Sequence, residues 1–315
     1  MQTPSPALRR GFTLIEMAIV IAIVGLAAVM VLTATRGMLE NEKRKTVRIT
    51  LNTVDTALAN FVALQKRLPC PATGNTASGL PNAGVESVNL ATGACNPATQ
   101  RTGVIPWVTL GLSEADASDP WFGRLTYRVD PVLAGSTPLP QLMNMSNCDP
   151  SSTGPTGPGG SCMTPVPPCT GTAGCTSPAL FLAGKGLDVW DGRNGATGFG
   201  VRQNNRAAGT GAAYVLISHG PGGTGAYNRS GILQPGNVPI NPVDEQPNVN
   251  NQDVVLTATS VNAYRDAPLQ ENQALRPTVP GPVLPPQTQT YFDDYLSHPT
   301  IMSVLNRANL GPRAH

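Results

Sequence analysis

The apolar and polar positions of this chain divide it sharply near its start. An unbroken apolar run from Met17 to Leu32 lies within a longer stretch, Phe12 to Thr35, whose only charge is Glu16. At about 1.5 Å per residue, a helix of that length spans a hydrocarbon core of about 30 Å. After a charged stretch from Arg36 to Arg48, apolar residues recur at Val47, Leu51, Val54, Leu58 and Phe61. Steps of three and four place them on one face of a helix, with Asn52, Asp55, Gln65 and Lys66 as polar neighbours. No proline occurs between Phe12 and Leu68, so one helix is predicted through both stretches, with Gly37 as its weak point. Pro69 ends it, because proline disfavours helical geometry in the residue before it. The stripe is too short to specify a coiled coil and predicts packing against the protein's own sheet.

Past the helix the signals shorten to strands and turns. Gly103 to Val108 is followed by a turn at Leu110 to Leu112, and Asp119-Pro120 marks a turn before Leu125 to Val129, which alternate like a half-buried strand. Residues 134–178 are dense in Gly, Pro, Ser, Thr and Cys and read as a loop insertion. Further strands are predicted at Ala179 to Leu182, Ala213 to Ser218 and Asp253 to Val261, with a proline-rich connector between Ala263 and Gln289. Ile301, Val304, Leu305 and Ala308 have helical spacing, so a closing helix is expected over Tyr291 to Leu310. Asp293 and Asp294 would favour its N-terminal end and Gly311 its C-cap.

Only 13% of residues are charged and the formal net charge is +2. No basic footprint for nucleic acid is present. The six cysteines, Cys70, Cys95, Cys148, Cys162, Cys169 and Cys175, all follow the apolar run. They read as a disulfide set of an oxidising compartment rather than a metal site, since no Cys-x-x-Cys pair exists. Fifteen pairings are open. The expectation is Cys70 with Cys95, the other four stapling the loop between Cys148 and Cys175.

The octet Arg9-Arg10-Gly11-Phe12-Thr13-Leu14-Ile15-Glu16, opening the apolar run, resembles the processing site of type IV pilins and type II secretion pseudopilins. A secretory signal peptide has a shorter apolar region and a small-residue cleavage site, which only Leu32-Thr33-Ala34 remotely suggests. A twin-arginine signal is disfavoured by Glu16 within the segment. A plain single-pass anchor leaves the Gly-Phe-Thr-Leu-Ile-Glu sequence without explanation. The resemblance implies cleavage after Gly11 by prepilin peptidase, N-methylation of Phe12, and pairing of Glu16 with the N-terminal amine of a neighbouring subunit. It further implies other pilin or pseudopilin subunits, an inner-membrane assembly platform and membrane lipid as partners, with no cofactor. Asp119-Pro120-Trp121 and the Arg67-Leu68-Pro69-Cys70-Pro71 segment also resemble stretches of larger pilin-like proteins.

Catalytic signals are weak. Ser218-His219-Gly220-Pro221-Gly222-Gly223 fits neither a nucleophile elbow nor a phosphate-binding loop. Adjacent Ser and His on a strand point to opposite faces, so a strand followed by a glycine turn is expected there. Asp244 and Glu245, followed by an Asn-rich stretch, could hold calcium as in some pseudopilins, but solvated turn acids are the expected reading. The predicted fold is α+β and pilin-like: a long N-terminal helix on an antiparallel sheet, with long disulfide-stapled loops. The expected organisation is a cytoplasmic leader (1–11), a transmembrane and assembly helix (12–35), a periplasmic amphipathic helix (36–68) and a periplasmic head (69–315). The expected role is structural, as a minor subunit of a type IV pilus or type II secretion pseudopilus rather than an enzyme. The alternative is a membrane-tethered periplasmic enzyme or binding protein that does not assemble.

Overall fold

The computed structural model describes residues 14–96, 103–135, 142–150, 177–191, 193–194, 198–199, 201–234, 248, 263–267, 269 and 292–313. For 27–37, 193–194, 198–199 and 263 only the backbone is described. The chain forms two compact units, Met1–Thr46 and Val47–His315. Helix α1, Leu14–Gln65, contributes to both.

In the first unit the described side chains of α1 from Leu14 to Leu26 are all exposed. Leu14 is 92% exposed, and Ile15, Ile19, Ile21, Val24 and Leu26 are all more than half exposed. Past them, Lys43 approaches Glu40 and Lys45 approaches Glu42, each at 3.7 Å one turn apart. Such exposed pairs add little to stability.

In the second unit the stripe of α1 enters the core at Val47, Leu51, Val54, Leu58 and Val62. The last expected position shifts by one residue. Val62 is fully buried, whereas Phe61 is only partly covered and lies under the Arg67 guanidinium at 5.0 Å. The helix also ends sooner than expected: Lys66 turns to φ +56, and its carbonyl accepts from Met143 N instead of continuing the ladder.

The stripe packs against a three-stranded antiparallel sheet in the order β1 (Thr126–Val129), β6 (Tyr214–Ser218), β8 (Tyr295–Ser297). Thr126 opposes Ile217 and Val129 opposes Tyr214, while Ser218 opposes Tyr295. Tyr127, Val129, Tyr214 and Leu216 join the core of α1. Val215 and Ile217 belong to a second cluster with Leu187, Val189 and Tyr264. Alternate residues of a strand point to opposite faces, so β6 is covered on both. For the same reason β1 is buried throughout, not half-buried as its alternation suggested.

The second cluster draws on a mixed sheet. Strand β2 (Asp188–Trp190) pairs antiparallel with β5 (Arg202–Asn204) and parallel with β7 (Ala263–Arg265), so the sheets are not purely antiparallel. Strands β3 (Arg193–Asn194) and β4 (Gly198–Phe199) form a separate pair. The expected strand at Gly103 to Val108 is reduced to bridges from Val104 to Ala72 and to Thr126.

Two other local expectations are corrected. Ala179 to Leu182 is helical, within α2 (Pro178–Leu182). Ser177 caps it by accepting from Leu180 N, and Pro178 starts it, where its fixed φ favours a helix and its missing N–H costs nothing. The expected closing helix is split into β8 and α3 (Ile301–Arg307). Pro299 lies between them, and Thr300 is the N-cap of α3, accepting from Ser303 N at 3.2 Å. Its C-cap is Ala308, and Asn309, at φ +57, makes the left-handed turn assigned to Gly311. The predicted strand at 253–261 lies outside the described residues.

Candidate functional site

Glu16 lies in the first turn of α1 and is exposed, with apolar side chains around it on every side of the helix. Gly11 and Phe12, the residues of the cleavage site, lie outside the described residues. Among the described residues no helix is long and apolar enough to cross a membrane.

The head holds a cluster of buried polar groups where β1 and β6 end. Asp119 is 6% exposed and is a hub for two turns. Its Oδ1 accepts from Trp121 N at 3.0 Å and Gly123 N at 2.8 Å, and its Oδ2 accepts from Ser218 Oγ at 2.8 Å. Burial pushes its carboxyl above the ordinary range, with these hydrogen bonds opposing the shift. His219 turns the other way from Ser218. Its Nε2 lies 3.0 Å from Thr126 Oγ1, and its Nδ1 lies 3.4 Å from Asp294 Oδ1. Asn248 Nδ2 donates to Asp294 Oδ2 at 2.8 Å and to Arg265 O at 2.9 Å.

Asp293 and Asp294 therefore do not serve the N-terminus of a closing helix. They are 1% and 3% exposed, and Asp293 Oδ2 accepts from Gly222 N. The glycines that follow His219 permit that approach. A Cβ on Gly220 would lie 2.2 Å from Asp293 O, and one on Gly222 would lie 2.7 Å from Asp293 Oδ2. Chemically the cluster ties the ends of β1 and β6 to the segment leading into β8. Ser218 and His219 have separate partners and form no nucleophile–base pair.

Asp119 was legible only as a turn residue. Its role as a hub could have been read from the Asx-turn pattern, an aspartate whose side chain accepts backbone N–H groups just ahead of it, here ending at Gly123. No local signal marks Thr126, Asp294 or Asn248, which meet only through the fold.

Cys70 and Cys95 form a disulfide, with Cα atoms 5.2 Å apart. Cys148 is disulfide-bonded as well. Cys162, Cys169 and Cys175 lie outside the described residues, as do Asp244 and Glu245. Among the described residues no group of His, Cys, Asp and Glu is arranged to hold a metal ion.

Residues 7–32 match the family model of the prokaryotic N-terminal methylation motif. No curated protein and no solved structure matches the chain. The match covers Arg9 and Arg10, the Gly11-Phe12 junction, Glu16 and the apolar run together. The chain thus carries, at its N-terminus, the signature of the type IV pilin and pseudopilin family.

Proposed function

We propose that this protein is a structural subunit of a type IV pilus or a type II secretion pseudopilus, present as a minor component. The observation that carries the reading is the first half of α1. Its side chains from Leu14 to Leu26 are apolar on all sides and exposed, with one carboxylate in the first turn, and the stretch lies within the matched methylation motif. A helix that is apolar all round needs lipid or other helices to cover it. In this reading residues 12–35 cross the inner membrane before assembly, Arg9 and Arg10 keep the leader cytoplasmic, and the head is periplasmic. Prepilin peptidase cuts after Gly11, Phe12 is methylated, and Glu16 pairs with the N-terminal amine of the next subunit.

The length of the head and its proline-rich segments favour a minor subunit, because bulky loops are costly to accommodate at every position of a filament. The role is structural rather than enzymatic.

The test is the fate of Glu16→Ala. A carboxylate is unfavourable in hydrocarbon, and a nearby cationic terminus compensates it where the dielectric is low. The variant is expected to be inserted and to begin at a methylated Phe12 by mass spectrometry, yet to be lost from sheared filaments or partner subunits. Normal incorporation would sink the assigned role of Glu16, and a mature chain beginning elsewhere would sink the prepilin reading.

A further inference from the structure

We propose that the cleft between the Asp119–Gly123 turn and the Gly220–Gly223 turn of the head binds a neutral saccharide. The cleft encloses about 320 Å³, at the lower end of the about 300–1,000 Å³ that small-molecule sites occupy.

Its rim carries Phe122, which is 68% exposed and held at φ +71. Glycine adopts that conformation freely and an L side chain does not. The conformation is enforced from below, by the two N–H groups that Asp119 Oδ1 accepts and by Asp119 N donating to Gly123 O at 2.8 Å. An aromatic ring fixed in an unfavourable backbone geometry yet left largely outside the core contributes little to packing. Such strain is concentrated at ligand sites. The opposite wall, Gly220 to Gly223, carries Pro221 as its one side chain, and the contact of Gly220 and Gly222 with Asp293 excludes any other residue at those two positions.

The polar lining selects the ligand class. Asn228 Oδ1 accepts from Ser230 N at 2.9 Å and Ile232 N at 3.0 Å, which orients its amide and leaves the Nδ2 donors for a ligand. Gln234 Nε2 donates to Ile232 O at 3.3 Å, leaving Oε1 as an acceptor. Among the described residues no Lys, Arg or His lines the cleft, which disfavours phosphate and carboxylate ligands. A cationic ligand would require an open carboxylate, whereas Asp119 is buried with both oxygens engaged. Fixed amide donors and acceptors beside an exposed aromatic face suit a sugar. Its hydroxyls both donate and accept, and its C–H face lies flat on a ring.

The full-length protein, held in a sugar-free detergent, is titrated with neutral mono- and disaccharides and read by saturation-transfer NMR. At least one should bind saturably. Phe122→Gly suits the backbone and should keep its melting temperature while weakening that binding by about tenfold or more. Phe122→Tyr should restore binding. Gln234→Ala, which removes an acceptor without touching the strained turn, should also weaken it. The proposal is overturned if no saccharide of the panel binds, if neither Phe122→Gly nor Gln234→Ala weakens binding, or if lysine or arginine amides bind more tightly than any sugar.

Discussion

Tyr214 on β6 donates its phenolic hydrogen to Asp55 Oδ1 on α1 at 2.9 Å, and Ser297 Oγ on β8 donates to Asp55 Oδ2 at 2.6 Å. One carboxylate thus joins the helix to two neighbouring strands of the sheet beneath it. Asp55 is 8% exposed, so its burial is tolerated because both oxygens are satisfied. The clasp sets the rotation of the helix that places Val54 and Leu58 on the core.

Tyr214→Phe keeps the ring and removes the donor. The carboxylate is then left buried with one partner fewer, a loss of about 1.5–3 kcal/mol for a hydrogen bond to a charged group. Urea unfolding of the variant against wild type measures it. In Asp55→Asn the same tyrosine change should cost less, and equal costs in both backgrounds would mean that the pair is not coupled.

Acid should stabilise the head between neutral pH and the ordinary aspartate range. Burial raises the carboxyls of Asp55, Asp119 and Asp130 above their usual value of 3.8. The folded chain therefore binds protons more tightly than the unfolded one at these sites. Their contribution is fully present below 3.8 and is lost as pH rises through the raised values. Asp116, held below the usual value by Ser113, works the other way, but it is exposed and screened by solvent. The melting temperature at about pH 4.5 is expected to exceed that at about pH 7.5, and the difference should shrink in Asp55→Asn. A fall in melting temperature across that range would overturn the assignment.

Arg124 is a heavily committed cation of the head. It is 1% exposed, pairs with Glu114 at 2.8 Å, and donates to the carbonyls of Gly74 at 2.9 Å and Thr76 at 2.7 Å. Its guanidinium also lies 4.9 Å from the centre of the Trp107 ring. Arg124→Ala should destabilise the head by about 1–3 kcal/mol for each of the two carbonyls it leaves without this donor, while Glu114 keeps its hydrogen bond from Ser78 Oγ at 2.8 Å. Arg124→Lys should recover little of this, since an ammonium cannot reproduce the planar fork. Thermal or urea unfolding of both variants would show it, and near-wild-type stability of the lysine variant would contradict the role given to the fork.

Local patterns in the sequence determined the N-terminal half of α1, its continuation and four positions of its stripe, because each depends on residues within a few turns. The methylation motif at residues 7–32 is likewise contiguous and was legible without the fold. The strand at Tyr214 to Ser218 was legible from its apolar run, but its two-sided burial required Val189 and Tyr264 to arrive from distant parts of the chain. The stripe ended at Val62 rather than Phe61 because the contacts of the core, not the period, decide which apolar residue is covered. Asp55 reads in the sequence only as a polar neighbour of the stripe, and the fold brings Tyr214 and Ser297 beside it. Asp293 and Asp294 likewise looked like helix-terminus acids, and only the folded chain sets them against Gly222, His219 and Asn248. A carboxylate reads as polar wherever it stands in a sequence. Whether it is buried depends on donors supplied by strands far away in the chain, and tertiary structure alone brings them within hydrogen-bonding distance.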